Sequence, residues 1–188
     1  RRFNIYRACK NQMFKKRSLQ LQLLFNMMKQ LFFSISFLML ILLSSACGSR
    51  QDKDFSNSKI YPHVSCLADT NLNYALFLPP QYKKKKPLPL LILFEAHGDG
   101  LLPVNLFSDE AAKQGIIIAG SNNSKNGMDM LQTTAIYRSM LADITARFSI
   151  EQKAVYLCGF SGGSRVAGSV AITEGGIAGV VGCGAGLP

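Results

Sequence analysis

From residue 73 onward, short apolar runs alternate with longer segments of mixed polarity. Runs bounded by Gly, Pro or Asn predict buried strands, and there are five of them, over residues 73–78, 88–94, 116–119, 154–158 and 177–181. In the longer segments the apolar residues recur at helical spacing, which predicts helices over residues 106–114, 130–148 and 164–172. Strands that alternate with helices predict an α/β fold with a doubly wound, mostly parallel sheet.

The segment before this region has the order of features of a bacterial export signal. A short basic start at Lys29 is followed by an apolar stretch over residues 31–43, by small residues at 44–46, and by Cys47. Residues 43–47 resemble a lipoprotein lipobox, with Leu43 one place earlier than in the commonest pattern. The resemblance implies that Cys47 becomes a lipid-bearing N-terminus in the bacterial cell envelope, at the inner or the outer membrane. An uncleaved anchor helix is the alternative, although the stretch is short for a membrane span.

Polarity divides the chain into four segments. Residues 1–26 hold seven basic and no acidic residues, and we interpret them as upstream sequence translated in frame; a basic nucleic-acid-binding arm is the alternative. Residues 27–46 are the predicted signal peptide. Residues 47–59 are polar and predict a flexible tether. Residues 60–188 are predicted to be the N-terminal part of a folded domain.

The basic balance of the chain does not indicate a nucleic-acid partner. The formal net charge is +10, but only 13 basic residues follow Cys47, against 11 acidic ones, which leaves +2. Lys83, Lys84, Lys85 and Lys86 form a run between prolines. It is most simply a solvated loop; contact with an anionic membrane surface is the alternative.

The cysteines indicate neither a disulfide framework nor a metal site. Apart from Cys9 and Cys47, the chain has Cys66, Cys158 and Cys183, an odd number without close spacing. Cys158 and Cys183 lie in apolar runs and are expected to be small core residues. We therefore expect no metal and no cofactor.

One motif carries chemistry. Gly159-Phe160-Ser161-Gly162-Gly163 directly follows the predicted strand 154–158, which is the expected context of a G-x-S-x-G nucleophile turn. A serine hydroxyl attacks well when it is exposed on a sharp turn with backbone N–H groups nearby for the oxyanion. A structural glycine turn of the nucleotide-binding type is the alternative, but the spacing of the glycines differs from that fingerprint.

From about Tyr74 to Pro188 the chain resembles the α/β-hydrolase superfamily, and within it secreted esterases of the polyhydroxybutyrate-depolymerase and feruloyl-esterase type. The matching segments are residues 87–93, His97-Gly98, and residues 155–167. The resemblance implies that Ser161 is the acyl nucleophile and that the Gly162 N–H is one oxyanion donor.

The second oxyanion donor is implied to come from the loop after the strand 88–94. The backbone N–H of Asp99 is our candidate, and His97 is expected to be a structural residue of that loop. Glu95-Ala96 stands where the family usually has an apolar pair, so the loop departs from the pattern at this point.

The triad is expected to be incomplete. In this fold it runs in the order Ser, Asp or Glu, His, and both His63 and His97 precede Ser161. Asp129, Asp143 and Glu174 are interpreted as surface residues of helices or loops. The acid and the base are therefore expected beyond Pro188, with this chain a C-terminally truncated fragment.

The favoured function is a serine-dependent ester hydrolase of the carboxylesterase type, acting on a small-molecule or polymer ester and anchored to a membrane by lipid. The alternatives are a non-catalytic binding lipoprotein of the same fold and a serine peptidase.

Overall fold

The structure, a computed structural model, describes residue 29 and residues 54–186. Residues 1–26, most of the predicted leader, Cys47 and the last two residues lie outside the described part. Six strands form one sheet: β1 Lys59–Ser65, β2 Asn73–Leu78, β3 Leu88–Phe94, β4 Ile117–Ser121, β5 Ile150–Phe160 and β6 Gly179–Cys183. Three helices connect them: α1 Leu101–Gln114, α2 Met130–Arg147 and α3 Gly162–Thr173.

The strands lie in the order β1-β2-β4-β3-β5-β6. The four strands β4, β3, β5 and β6 are parallel, whereas β2 runs antiparallel to both β1 and β4. The predicted α/β fold with a mostly parallel, doubly wound sheet is confirmed. Its central strands are near-continuous apolar runs because helices cover both of their faces.

The two faces of the sheet have separate cores. On one face, alternate residues of the central strands pack with α2 and α3 through side chains such as Met140, Ile144 and Val170. On the other face, the intervening residues pack with α1 through Val104 and Ala111. Alternation of side chains along each strand places a single apolar run in both cores.

The main differences from the sequence prediction are one missed strand and two elements that begin earlier than predicted. The edge strand β1 was not predicted, because Pro62 and an irregular register between Tyr61 and Val64 interrupt its alternation. Helix α1 begins at Leu101 instead of residue 106; Pro103 lies in its first turn, where a missing N–H costs no hydrogen bond. Strand β5 begins at Ile150 instead of residue 154. The sequence did not predict its first part because residues 151–153 are polar and exposed and give no apolar signal.

Asp143 is buried, so its interpretation as a surface residue was wrong. Its carboxylate accepts hydrogen bonds from the Tyr74 hydroxyl (2.7 Å), the Leu67 N–H (2.8 Å) and Arg147 Nε (2.8 Å). Asp143 shares the inward face of α2 with apolar neighbours, and Arg147 one turn later supplies the opposite charge. Burial, and then the nearby Asp143 carboxylate, raise the pKa of Cys66 to about 11.

The other two predicted surface carboxylates are at the ends of helices. Asp129 is exposed and caps α2: its side chain accepts from the Gln132 N–H, and Gln132 returns a hydrogen bond to the Asp129 N–H. Glu174 follows α3 and is half-buried under Arg138, with their charged atoms 2.8 Å apart.

The described end of the predicted tether contacts the domain. Phe55 packs edge-on against the rings of Tyr61 and Phe148. The Asn57 side chain donates to the backbone oxygens of Tyr82 (2.9 Å) and Pro80 (3.2 Å). Within the described part of the chain, no helix has the length and apolar character needed to cross a membrane.

Candidate active site

Ser161 occupies a strained turn between β5 and α3. Its backbone has φ 52° and ψ −120°, and Ser58 is the one other non-glycine residue with positive φ among those the structure describes. Such a conformation costs on the order of 1–3 kcal/mol and persists only where the surroundings impose it. The Ser161 N–H donates to the Cys183 carbonyl oxygen of β6 (2.8 Å), which fixes the turn to the neighbouring strand.

The outer glycines of the motif permit close backbone contacts. A Cβ at Gly159 would overlap the carbonyl oxygen of Gly163, where the first turn of α3 crosses β5. A Cβ at Gly163 would overlap the carbonyl oxygen of Phe94, at the end of β3. The spacing of the motif therefore lets α3 start directly above the ends of β3 and β5.

Gly162 is the first residue of α3 and contacts the loop after β4. Its N–H belongs to the first helical turn, where N–H groups have no acceptor within the helix and are available to an anion. The Asn126 side chain lies against Gly162, and a Cβ there would overlap Asn126 Oδ1. The Asn126 N–H donates to the Ala96 carbonyl oxygen (2.8 Å), which joins this loop to the loop after β3.

The loop after β3 is organised by Glu95. Glu95 Oε2 accepts from the His97 N–H (2.6 Å) and from the Asp99 N–H (3.4 Å), and Glu95 Oε1 lies 2.7 Å from His97 Nδ1. Burial acts to raise the pKa of Glu95, but these hydrogen bonds together outweigh it and hold the pKa below its usual value. A carboxylate thus stands at the place where the family pattern has an apolar residue.

The sequence-predicted site residues are distributed as follows. Strands β3 and β5 are parallel neighbours, and Phe94 pairs with Gly159, so the loop carrying Asp99 and the turn carrying Ser161 and Gly162 meet at one end of the sheet. The Asp99 N–H is directed at Glu95 across a long hydrogen bond. Its role as the second oxyanion donor stays a prediction.

Neither described histidine is hydrogen-bonded to Ser161. His63 is on β1, with three strands between it and β5, a separation of roughly 19 Å at about 4.8 Å per strand. The His97 side chain is 83% exposed and contacts Glu95. The expectation that neither histidine serves as the triad base stays a prediction.

A largely apolar cavity of about 370 Å³ lies beside the turn. It is bounded by α1, by the ends of β3, β5 and β6, and by Glu95; its lining residues are Leu93, Phe94, Glu95, Leu102, Pro103, Leu106, Phe107, Cys158, Gly159, Phe160 and Cys183. A cavity of this size and polarity suits the apolar portion of a small ligand.

Part of this apolar face is open to solvent. Phe160 is 63% and Val181 is 55% exposed. Cys183 is exposed and Cys158 half-buried, so the expectation that both are core residues was wrong for Cys183. Helix α1 packs mainly on β4 and β2, at a distance from the edge strand β6.

A smaller, more polar cavity of about 200 Å³ lies at Gly162. Its lining includes Lys125, Asn126, Arg165 and Ser169. The sequence reasoning did not identify Asn126 or the bonding of Glu95. The one available signal was the position of each residue in a loop that follows a buried parallel strand, where sites of open α/β sheets form.

Several solved structures share this fold. An acetyl xylan esterase from Aspergillus awamori superposes with a TM-score of 0.51 at 14% identity, covering 62% of this chain and 47% of that one. A dienelactone hydrolase-like promiscuous phosphotriesterase from metagenomic libraries gives 0.50 at 12% identity, covering 59% and 52%. A poly(3-hydroxybutyrate) depolymerase from Bordetella parapertussis gives 0.48 at 16% identity, covering 58% and 44%.

The strand order, the strand directions and the two superpositions with TM-scores of 0.51 and 0.50 define the α/β-hydrolase fold. The matched part of the chain spans about half the length of these solved structures. No protein-family model matches the sequence, and no curated protein matches it.

Proposed function

We propose that this chain carries the nucleophile of a serine-dependent ester hydrolase. The observation that carries the proposal is the strained backbone of Ser161, φ 52°, at the start of α3 and beside an apolar cavity of about 370 Å³. A turn that served only to connect β5 to α3 would have no need of a non-glycine residue in this conformation. The acetyl xylan esterase among the similar structures supports the same chemistry.

In the proposed reaction Ser161 Oγ attacks the carbonyl carbon of an ester, and its proton passes to a general base. The carbonyl oxygen becomes an oxyanion that accepts a hydrogen bond from the Gly162 N–H. The alkoxy group leaves with a proton from the same base, and water then hydrolyses the acyl-enzyme. The cavity beside Phe160 would hold the apolar portion of the substrate.

The base and the carboxylate that orients it are proposed to come from sequence beyond residue 188. Two observations support this placement. The described histidines are remote from Ser161 or hydrogen-bonded to Glu95, and the chain spans about half the length of the similar structures. Alone, this chain is expected to hydrolyse activated esters weakly or not at all, because an unassisted serine hydroxyl is a weak nucleophile.

The test is labelling by a fluorophosphonate probe in the full-length protein, with hydrolysis of p-nitrophenyl acetate as the second readout. Ser161→Ala is expected to abolish both. Ser164→Ala is the matched control: Ser164 is buried three residues later, and its hydroxyl donates to the Ala185 carbonyl oxygen (3.1 Å), so both activities should survive. A Ser161→Ala protein that melts at the parental temperature and keeps parental turnover would exclude Ser161 as the nucleophile.

We further propose that Cys47 is lipidated and holds the domain in the bacterial cell envelope. The order of basic, apolar and small residues before Cys47 supports this. In cells fed a clickable fatty acid, the parent should be labelled and Cys47→Ala should not. Cys183→Ala, which removes an exposed thiol, controls for non-specific acylation. Labelling that survives Cys47→Ala would overturn the anchor.

A further inference from the structure

Four consecutive lysines form an exposed turn between β2 and β3. Lys83, Lys84, Lys85 and Lys86 are all exposed, and the turn is closed by a hydrogen bond from the Lys86 N–H to the Lys83 carbonyl oxygen (2.9 Å). This tetralysine turn (residues 83–86) is therefore held together on the surface.

The tetralysine turn and Ser161 lie at opposite ends of the sheet. The turn precedes β3, whose first residue pairs with Ile150 at the start of β5. Ser161 follows the other end of β5, where Gly159 pairs with Phe94. The six steps from Leu88 to Phe94, at about 3.3 Å each, separate the two ends by roughly 20 Å.

The chain also enters the domain at the lysine end. Lys59, the first residue of β1, pairs with Leu78, the last residue of β2. Asn57 donates to the backbone of Tyr82, immediately before the tetralysine turn. Six residues lie between Cys47 and Asp54, and the seven steps span at most about 25 Å when extended. A lipid on Cys47 would therefore tether the domain to a membrane through its lysine end.

Charge is segregated to this end. Residues 54–186 contain 11 basic and 10 acidic residues, so the four lysines of the turn are the source of the positive balance. Lys59 and Lys153 add two exposed cations at the same end. Of the nearby carboxylates, Glu151 accepts from the Lys153 N–H, Glu110 is bound to Lys113 and Gln114, and Asp54 is exposed.

We propose that the lysine end, defined by the tetralysine turn with Lys59 and Lys153, is a docking surface for anionic phospholipid headgroups that turns the Ser161 end away from the membrane. Its location rests on the proposed lipid anchor at Cys47, but its electrostatic binding does not. Each lysine near an anionic membrane surface raises the partition coefficient of a protein between water and membrane by about fivefold at physiological ionic strength. A nucleic acid is less suited as the occupant, because the rest of the domain presents no net positive charge along which a backbone would run.

The first experiment measures co-sedimentation of the mature, lipidated protein with vesicles of neutral phosphatidylcholine and with vesicles containing about 30% phosphatidylglycerol. Replacing the four lysines of the turn by Gln should lower the partition coefficient on the anionic vesicles at least tenfold and leave it unchanged on the neutral ones. Replacing them by Arg should restore it. The proposal is overturned if the parent and the Gln variant bind anionic vesicles equally. It is also overturned if the Arg variant melts at the parental temperature but does not regain the parental partition coefficient.

The second experiment tests orientation within one molecule. Lysines are acetylated with an amine-reactive ester, and the rate at each site is read by mass spectrometry. On anionic vesicles the tetralysine turn should react at least threefold more slowly than in solution, while Lys125, at the Ser161 end, should react at its rate in solution. Protection of Lys125 instead would overturn the orientation. Protection of the turn by a short DNA duplex but not by vesicles would assign the surface to nucleic acid.

Fatty-acid labelling of the same preparations separates the two proposals. If the protein is labelled but binds neutral and phosphatidylglycerol vesicles equally, the docking surface is refuted and the anchor is supported. If the protein is not labelled but still binds anionic vesicles through the turn, the anchor is refuted and the docking surface is supported.

Discussion

The backbone at Ser161 makes a quantitative prediction about stability. With φ 52° and ψ −120°, any residue with a Cβ is strained there, whereas glycine is not. Ser161→Gly should therefore be more stable than Ser161→Ala, although both lack the hydroxyl. At most positions the order is the reverse, since glycine loses more conformational freedom on folding.

The magnitude follows from two opposing contributions. Relief of strain in this region favours glycine by on the order of 1–3 kcal/mol. The greater chain entropy of the unfolded glycine variant opposes it by about 0.5–1 kcal/mol. We expect a net difference of about 1 kcal/mol in the free energy of unfolding, with Ser161→Gly the more stable variant.

Urea unfolding followed by circular dichroism measures this difference. The control pair is Ser164→Gly and Ser164→Ala, inside the first turns of α3, where alanine should be favoured by about 1 kcal/mol. Opposite signs at the two serines confirm the strain at Ser161. If alanine is the more stable replacement at both, the turn is not strained and the main structural argument for a nucleophile is lost.

Three other perturbations have defined outcomes. Asp143→Ala leaves the nearly buried Arg147 without its carboxylate and should lower the free energy of unfolding in urea by about 3–5 kcal/mol. The exposed cap variant Asp129→Ala should lower it by about 1 kcal/mol, and similar losses in the two would contradict the network at Asp143. Glu95→Ala removes the acceptor of two loop N–H groups and should lower the rate of fluorophosphonate labelling in the full-length protein at least tenfold. Glu95→Gln should have an intermediate rate. A parental rate in Glu95→Ala would show that the loop does not depend on the Glu95 carboxylate. Cys66 has a folded-state pKa of about 11, above its ordinary 9.0, so its contribution to stability is present below pH 9 and lost as the pH rises through 11. Between about pH 8 and 11 the free energy of unfolding should fall less steeply with pH in Cys66→Ala than in the parent. Identical slopes would refute the raised pKa.

The parts of the fold that the sequence predicted depend on local pattern. The buried strands β3 and β4 are apolar on both faces, so their composition alone identifies them. The turn at Ser161 was predicted because close backbone contact admits only glycine at positions 159 and 163, and this leaves a readable spacing. The strand β1 was not predicted because Pro62 and an irregular register interrupt its alternation of apolar and polar residues. An edge strand can keep its pairing in spite of both.

What the sequence did not predict depends on contacts between distant residues. Asp143 and Tyr74 are 69 positions apart. A carboxylate on an otherwise amphipathic helix gives no local sign that it will be bound by a buried hydroxyl from a distant strand. Asn126 reaches Gly162 only because the loops after β3 and β4 are joined through the Ala96 carbonyl oxygen. Such partners become visible once the strand order brings the loops together.

The strain at Ser161 is maintained by contacts to three separate parts of the sheet. Gly163 lies against the end of β3, Asn126 of the loop after β4 lies against Gly162, and the Ser161 N–H is bound to the end of β6. None of these contacts lies within the turn itself, so the turn would relax in a peptide that lacked the sheet. The strained geometry of the turn is thus a property of the assembled sheet, and the glycines of the motif mark the positions where the sheet permits close backbone approach. It follows that substitutions in β6 or in the loop after β4, which touch no substrate, should alter the reactivity of Ser161.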